Sequence, residues 1–238
     1  LGSKMESKLP KEKSDERKRE LRAAMSRMVA YAVKNGIKVI ILAGDIFDSD
    51  RPLKRDKEFF YSVVRNTPDI DFLYLRGNHD TLESYTEYGL ENLKTFSDEW
   101  TCYRYGNVTI SGIEIDGSNA LSLYSSLKLE SDKINIAVMH GQAGNSGGAG
   151  KIQLSKLRNK NIDYLALGHI HTYSAGKIDE RGRYAYCGCL EGRGFDELGQ
   201  KGFVVIDTDE KLTFEFVPSS ARVFEEVCVD ISDTQDLF

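Results

Sequence analysis

The four histidines of this chain all stand in short polar motifs whose residue types could hold metal ions. His79 lies in Gly77-Asn78-His79-Asp80, His140 in Met139-His140-Gly141, and His169 and His171 in Gly168-His169-Ile170-His171. A fifth motif, Gly44-Asp45-Ile46-Phe47-Asp48, brings carboxylates without a histidine. Imidazole, carboxylate and amide oxygen together suit Mn, Fe, Zn or Ni. Two such ions about 3.5–4 Å apart form a clamp for phosphoryl chemistry. A lone histidine is more often a satisfied core or surface residue. Here the whole histidine supply sits in such motifs, and one binuclear centre is the reading the residues favour.

Each motif follows an apolar run that reads as a strand: Val39 to Ala43, Phe72 to Leu75, Ile134 to Met139 and Tyr164 to Leu167. In open α/β sheets the loops at the carboxyl ends of parallel strands converge on the ligand crevice. Motifs distant in sequence therefore meet at one sheet edge. The intervening residues supply the alternation such a sheet needs. Ser14 is expected to cap an amphipathic helix with Leu21, Met25, Met28, Val29 and Ala32 on one face, ending near Gly36. Phe59, Phe60, Val63 and Val64 suggest a second helix, and Ile152 to Leu157 a further one. This repetition predicts a parallel core. Short segments such as Asn107 to Ile115 read as antiparallel strands, and Tyr184 to Cys187, Phe203 to Asp207, Thr213 to Val217 and Phe224 to Val229 predict a second sheet on the first. Ser232 to Phe238 read as a linker.

At 238 residues, 40% hydrophobic and 29% charged, the composition is that of one α/β domain with a substantial core. No apolar run approaches the ~20 residues that span a bilayer, and no signal-peptide pattern is present. A cytoplasmic location without membrane attachment is expected. Cys102, Cys187, Cys189 and Cys228 form no disulfide framework, and Cys187 and Cys189 read as neighbours in a strand. A net charge of −5 does not mark a nucleic-acid binder, so the question becomes where basic residues cluster. The best candidate runs through Lys4, Lys8, Lys11, Lys13, Arg17, Lys18, Arg19 and Arg22, although interleaved acids favour a solvated helix face. The Gly-rich stretch from Gly141 to Gly150 lacks a nucleotide-binding pattern and reads as a flexible loop.

Taken in order, Gly-Asp-x-x-Asp, Gly-Asn-His-Asp, His-Gly and Gly-His-x-His resemble the calcineurin-like metallophosphoesterase superfamily. The stretches Leu42 to Ser49, Tyr186 to Phe195 and Gly199 to Phe203 resemble its SbcD branch, bacterial DNA repair exonucleases that partner an SMC-like ATPase. The resemblance covers nearly the whole chain. One departure stands out: the family opens with a strand ending in Asp-x-His, and no Asp-x-His precedes Asp45. In SbcD-like sequences a Leu-Gly-Ser-like segment follows that motif, and this chain begins Leu1-Gly2-Ser3. A parent protein is therefore expected to supply the missing strand, and to continue into a small cap and an ATPase-binding tail.

The resemblance implies an α/β fold, a four-layer α/β/β/α sandwich with two packed mixed sheets, over residues 1–238. It implies two divalent metal ions, manganese expected and iron, zinc or nickel the alternatives. Asp45 would bridge them, Asn78, His140 and His169 would complete one site, and His171 would join the absent Asp and His at the other. A metal-bridging hydroxide would attack phosphorus. His79 would stabilise the transition state or protonate the leaving oxygen, with Asp80 orienting it. Asp48 would support the ligands from behind or serve only as a helix-start carboxylate, and Arg76 and Arg193 are expected to form ion pairs rather than meet substrate. The function implied is a two-metal phosphodiester hydrolase, a DNA repair exonuclease with DNA and an SMC-like ATPase as partners and a homodimer allowed. The alternatives are a non-catalytic scaffold of the same fold that binds the ATPase, and a phosphatase or small-molecule phosphodiesterase, since fold does not fix substrate.

Overall fold

Val39–Ala43 (β1) is apolar throughout because both of its faces are covered. Ile40 and Leu42 pack against Met25, Met28 and Val29 of helix α1 (Lys11–Lys34) and Phe60 and Val64 of helix α2 (Lys54–Arg65). Val39, Ile41 and Ala43 face the other way, onto a second sheet. The same division holds in Asp71–Leu75 (β2), where Phe72 and Tyr74 face the helices and Leu73 and Leu75 the second sheet. Phe47, Phe60 and Phe72 are fully buried, each worth about 1.5–3 kcal/mol of burial. The computed structural model describes residues 1–2, 10–49, 51–80, 89–120, 122–145, 148 and 150–230.

The first sheet is parallel and is completed by Leu93–Thr95 (β3), in the order β1-β2-β3. The second comprises β4 (Thr101–Tyr105), β5 (Val108–Gly112), β6 (Ile134–His140), β9 (Tyr164–Gly168), β10 (Ser174–Lys177) and β11 (Arg183–Tyr186), in the order β10-β11-β9-β6-β5-β4. Its central strands β5, β6, β9 and β11 run parallel, while β4 and β10 pair antiparallel at the edges. Between β6 and β9, Gln142–Gly144 (β7) and Lys151–Gln153 (β8) form a small parallel pair. A hairpin, β12 (Gly202–Asp207) with β13 (Thr213–Pro218), shares both core clusters with the first sheet. On the outer side of the six-stranded sheet the four-residue helix α3 (Leu123–Ser126) and a 3-10 turn at Leu154–Leu157 cover Ala137, Met139 and Leu165. The result is an α/β/β/α arrangement whose last layer is thin. Among the described residues no helix is long and apolar enough to cross a membrane.

Several elements differ from the sequence reading. Helix α1 starts at Lys11 behind Pro10, not at Ser14, whose N–H already donates to the Pro10 carbonyl at 3.0 Å. Proline presets φ at the helix entry, and the i,i+3 pairs Lys13–Glu16 and Arg17–Glu20 support the first turns. The basic stretch is partly consumed by the fold: Arg17 is buried against Glu20, the Gly192 carbonyl and the Phe224 ring, and Arg22 pairs with Asp56 at 2.6 Å. Lys4 and Lys8 lie outside the described residues, as does the expected linker from Ser232. The expected helix at Ile152 to Leu157 is instead strand β8 followed by the 3-10 turn. Phe224 to Val229 is not a strand: Phe224 makes one isolated bridge to Gly199, while Val227 and Val229 are exposed. Cys187 and Cys189 follow β11 rather than lie in it, with Gly188 between them at φ 76°.

Candidate metal centre

Strand register brings the motif loops together. Ala43 is aligned with Leu75 in one sheet and His140 with Gly168 in the other, so the four loops come in two pairs from two sheets and not from the single sheet edge expected from the sequence. The two sheets meet there at very short range. A Cβ on Gly168 would run into the Ala43 carbonyl and stand 2.7 Å from His140 Nδ1, and one on Gly77 would strike the Asp45 carboxylate. Glycine at these two positions provides clearance. Two of the candidate ligands carry backbone strain, Asp45 at φ 55° and His169 at φ 99°, a cost that tends to gather at functional sites.

His140 joins the sheets, its Nδ1 lying 2.8 Å from the Ala43 carbonyl. A carbonyl only accepts, so Nδ1 carries the proton and Nε2 is left to face Asn78 Oδ1 at 3.0 Å and Asp45 Oδ2 at 3.2 Å. His169 Nδ1 approaches the same Asn78 oxygen at 3.3 Å. The ligand atoms of Asp45, His140 and His169 all lie within 4.8 Å of one another. Asp45 Oδ1 is held separately by the His79 backbone N–H at 3.0 Å. Burial opposes charge on Asp45, but the hydrogen bond and charge of His140 outweigh it and keep the carboxyl below the usual aspartate range. Burial likewise opposes charge on His140, yet the bond to Asp45 and its charge hold the imidazole above the usual histidine range. Burial, then the charge of His140, lowers His169.

His171 is placed differently. Its Nδ1 lies 2.7 Å from Glu197 Oε1 and 2.9 Å from Arg193 Nη2, and it is not within the Asp45, His140 and His169 cluster. Arg193 also pairs with Asp48, in the loop that carries Asp45. The sequence reading missed Glu197 because Phe195-Asp196-Glu197-Leu198 bears no metal-ligand spacing. Asp80 does not orient His79 in this structure: its carboxylate accepts the backbone N–H groups of Phe47 and Gly77 at 3.1 Å and Ile46 at 3.4 Å, tying two motif loops together. His79 itself is exposed. Arg76 Nε donates to Glu114 at 2.7 Å. Burial pushes the Cys187 thiol up to about 11, and burial with the Glu197 charge pushes Cys189 up to about 12, so neither offers a thiolate near neutral pH. An open cleft of about 420 Å³ borders Asn78, His140 and His169, with Asp98, Glu114 and Asp116 on its wall.

A family model described as calcineurin-like phosphoesterase matches residues 18–173. The chain is 29% identical over 182 residues to the DNA double-strand break repair protein Mre11 of Sulfurisphaera tokodaii, covering 69% of this chain and 46% of that protein. It is 27% identical over 217 residues to the protein of the same name from Saccharolobus solfataricus, covering 83% and 56%. To the uncharacterized metallophosphoesterase YhaO of Bacillus subtilis it is 24% identical over 231 residues, covering 90% and 56%. The chain thus spans about half the length of these curated relatives. The crystal structure of TT1561 of Thermus thermophilus has a TM-score of 0.56 at 16% identity, covering 82% of this chain and 92% of that one, a likeness of fold alone. With the family match running through all the loops that converge on Asn78 and His140, the chain belongs to the calcineurin-like phosphoesterases.

Proposed function

We propose that residues 1–238 form the catalytic domain of a two-metal phosphodiester hydrolase that processes DNA ends in repair. The observation that carries this reading is the convergence of Asp45 Oδ2 and Asn78 Oδ1 within 3.2 Å of His140 Nε2. Three electron-rich atoms so placed are stable only with a proton or a cation among them, and the mixed carboxylate, amide and imidazole set suits a transition metal. Divalent ions bound there, with manganese the expected choice, would polarise the phosphoryl group and acidify a water.

The residues have distinct tasks in this account. Asp45, Asn78, His140 and His169 would hold one ion, and Asp45 with His171 would contribute to holding a second. Asp80 would keep the Asp45 and Asn78 loops in register through its three backbone bonds. His79, exposed beside the cleft, would protonate the leaving oxygen. The names of two relatives point to broken DNA as substrate, and an SMC-like ATPase partner, a cytoplasmic location and a homodimer belong to the same proposal. One observation favours a second reading, a phosphatase or small-molecule phosphodiesterase: with Glu114 paired to Arg76, the cleft wall sets Asp98 and Asp116 against Lys151, a balance that does not attract a long phosphate backbone.

Hydrolysis of bis-p-nitrophenyl phosphate, p-nitrophenyl phosphate and linear duplex DNA should be compared with manganese and with EDTA, on this chain and on a form extended upstream. Manganese-dependent cleavage of the diester and of DNA from its ends is expected. Turnover of the monoester alone would favour the phosphatase, and no hydrolysis by either form would leave the scaffold.

A further inference from the structure

We propose that Glu197 is a positioning residue that fixes the Nδ1–H tautomer of His171 and so presents its Nε2 as a metal ligand, an inference that rests on the metal-centre reading above. Glu197 has a side chain only 5% exposed, and its bonds converge on this task. Oε1 accepts from His171 Nδ1 at 2.7 Å and Arg193 Nε at 2.8 Å, while Oε2 accepts the Arg193 backbone N–H at 2.7 Å. Nδ1 cannot both donate to Glu197 and accept from Arg193 Nη2. A carboxylate can only accept, so the 2.7 Å contact with Glu197 Oε1 puts the imidazole proton on Nδ1 and leaves the Nε2 lone pair for a metal, while Arg193 Nη2 forms an ion pair with the same carboxylate.

The same segment fixes the other end of His171. Its carbonyl accepts from the buried Lys201 Nζ at 3.0 Å and from the Cys189 N–H at 3.4 Å. Ring and backbone are thus clamped from residues 189–201, and Arg193 extends the clamp to Asp48 in the Asp45 loop. A carboxylate behind a metal-bound histidine sets both its orientation and its basicity, and its loss typically costs about 10–100-fold in metal affinity.

The test reads ring nitrogens as well as metal. Histidine 15N–1H spectra of the metal-free full chain should show the proton of His171 on Nδ1, and Glu197→Ala should move it to Nε2. Manganese titration of the form extended upstream should show uptake at His171, followed through its paramagnetic broadening, weakened about 10–100-fold in Glu197→Ala. Glu197→Gln, whose amide oxygen can still accept from Nδ1, should recover part of that loss. A proton on Nε2 in the unsubstituted chain would overturn the proposal even if Glu197→Ala failed to fold. So would an unchanged tautomer and less than about threefold loss in a folded Glu197→Ala, well below the expected range. Absence of manganese binding anywhere in the unsubstituted chain would instead overturn the metal-centre reading, and this proposal with it.

Discussion

Asp45, Asn78, His140 and His169 leave strand ends whose register is set by sheet hydrogen bonds, whereas His171 is held by side chains from residues 187–201, a segment without helix or strand. In the first region, position follows from the backbone: parallel pairing places the loops side by side, and Gly77 and Gly168 let them close to van der Waals range. In the second, position depends on Glu197, Arg193 and Lys201, each reaching His171 from irregular chain well beyond it in sequence. A site can therefore be half architecture and half side-chain network. The first half should fail when its own groups, its clearance or the Asp80 tie between its loops is altered, the second when its side-chain supports are.

The largest effect is expected at Asp45, the carboxylate proposed to serve both ions. Asp45→Asn should abolish divalent metal binding at the strand-end half and lower manganese-dependent hydrolysis by at least about 10³-fold, several kcal/mol of transition-state stabilisation. Retained manganese-dependent turnover would remove Asp45 from its role. His79→Ala comes next, because the alanine keeps the backbone N–H that donates to Asp45. Metal stoichiometry should persist while turnover falls about 10²–10⁴-fold. A loss of bound metal would make His79 a ligand instead.

Proton competition gives a smaller, graded effect. His140 sits above the usual histidine range in the metal-free chain, so a proton occupies the pair with Asp45 until pH rises through that value. Metal must displace this proton. Apparent affinity measured by calorimetry should fall about tenfold per pH unit as pH drops below the raised His140 value. A flat profile would show that His140 is not displaced. The stability of the metal-free chain runs the opposite way: the pair contributes fully below the unfolded histidine value of about 6.5 and loses its contribution as pH rises through the folded value.

Clearance is testable through Gly168→Ala. The added methyl meets the Ala43 carbonyl and His140, and overpacking of this kind costs about 1–3 kcal/mol in urea unfolding. An unchanged midpoint would show that the loops can part without loss. Arg104→Ala, far from both regions, removes an exposed pair with Glu130 at 3.4 Å and should leave Tm within error of the original.

The strand-end half was legible because each of its residues announces itself locally. An apolar run sealed on both faces, such as Val39 to Ala43, identifies the strand, and the Gly, Asn, Asp or His after it identifies the loop. Helix α2 and the β12–β13 hairpin were legible for the same reason of periodicity. What stayed hidden depended on contacts between distant residues. Glu197 is one carboxylate among 37 acidic residues until the fold sets it 2.7 Å from His171. Arg17 looks like part of a solvated basic face until Glu20, Gly192 and Phe224 enclose it. The valines of Phe224 to Val229 imitate a strand, but among the described residues this segment pairs only through the Phe224 bridge, and alternation in sequence cannot say whether a sheet edge is there to receive it. The contacts of Asp80 were not legible either, since nothing in Gly77-Asn78-His79-Asp80 distinguishes an imidazole partner from three backbone N–H groups.

The most direct test of the account is anomalous diffraction from crystals of this chain grown with manganese. The account predicts a peak within coordination distance of Asp45 Oδ2, Asn78 Oδ1, His140 Nε2 and His169, lost in Asp45→Asn. Manganese found elsewhere, or His140 Nε2 still hydrogen-bonded to Asp45 with no ion between them at saturating metal, would contradict it.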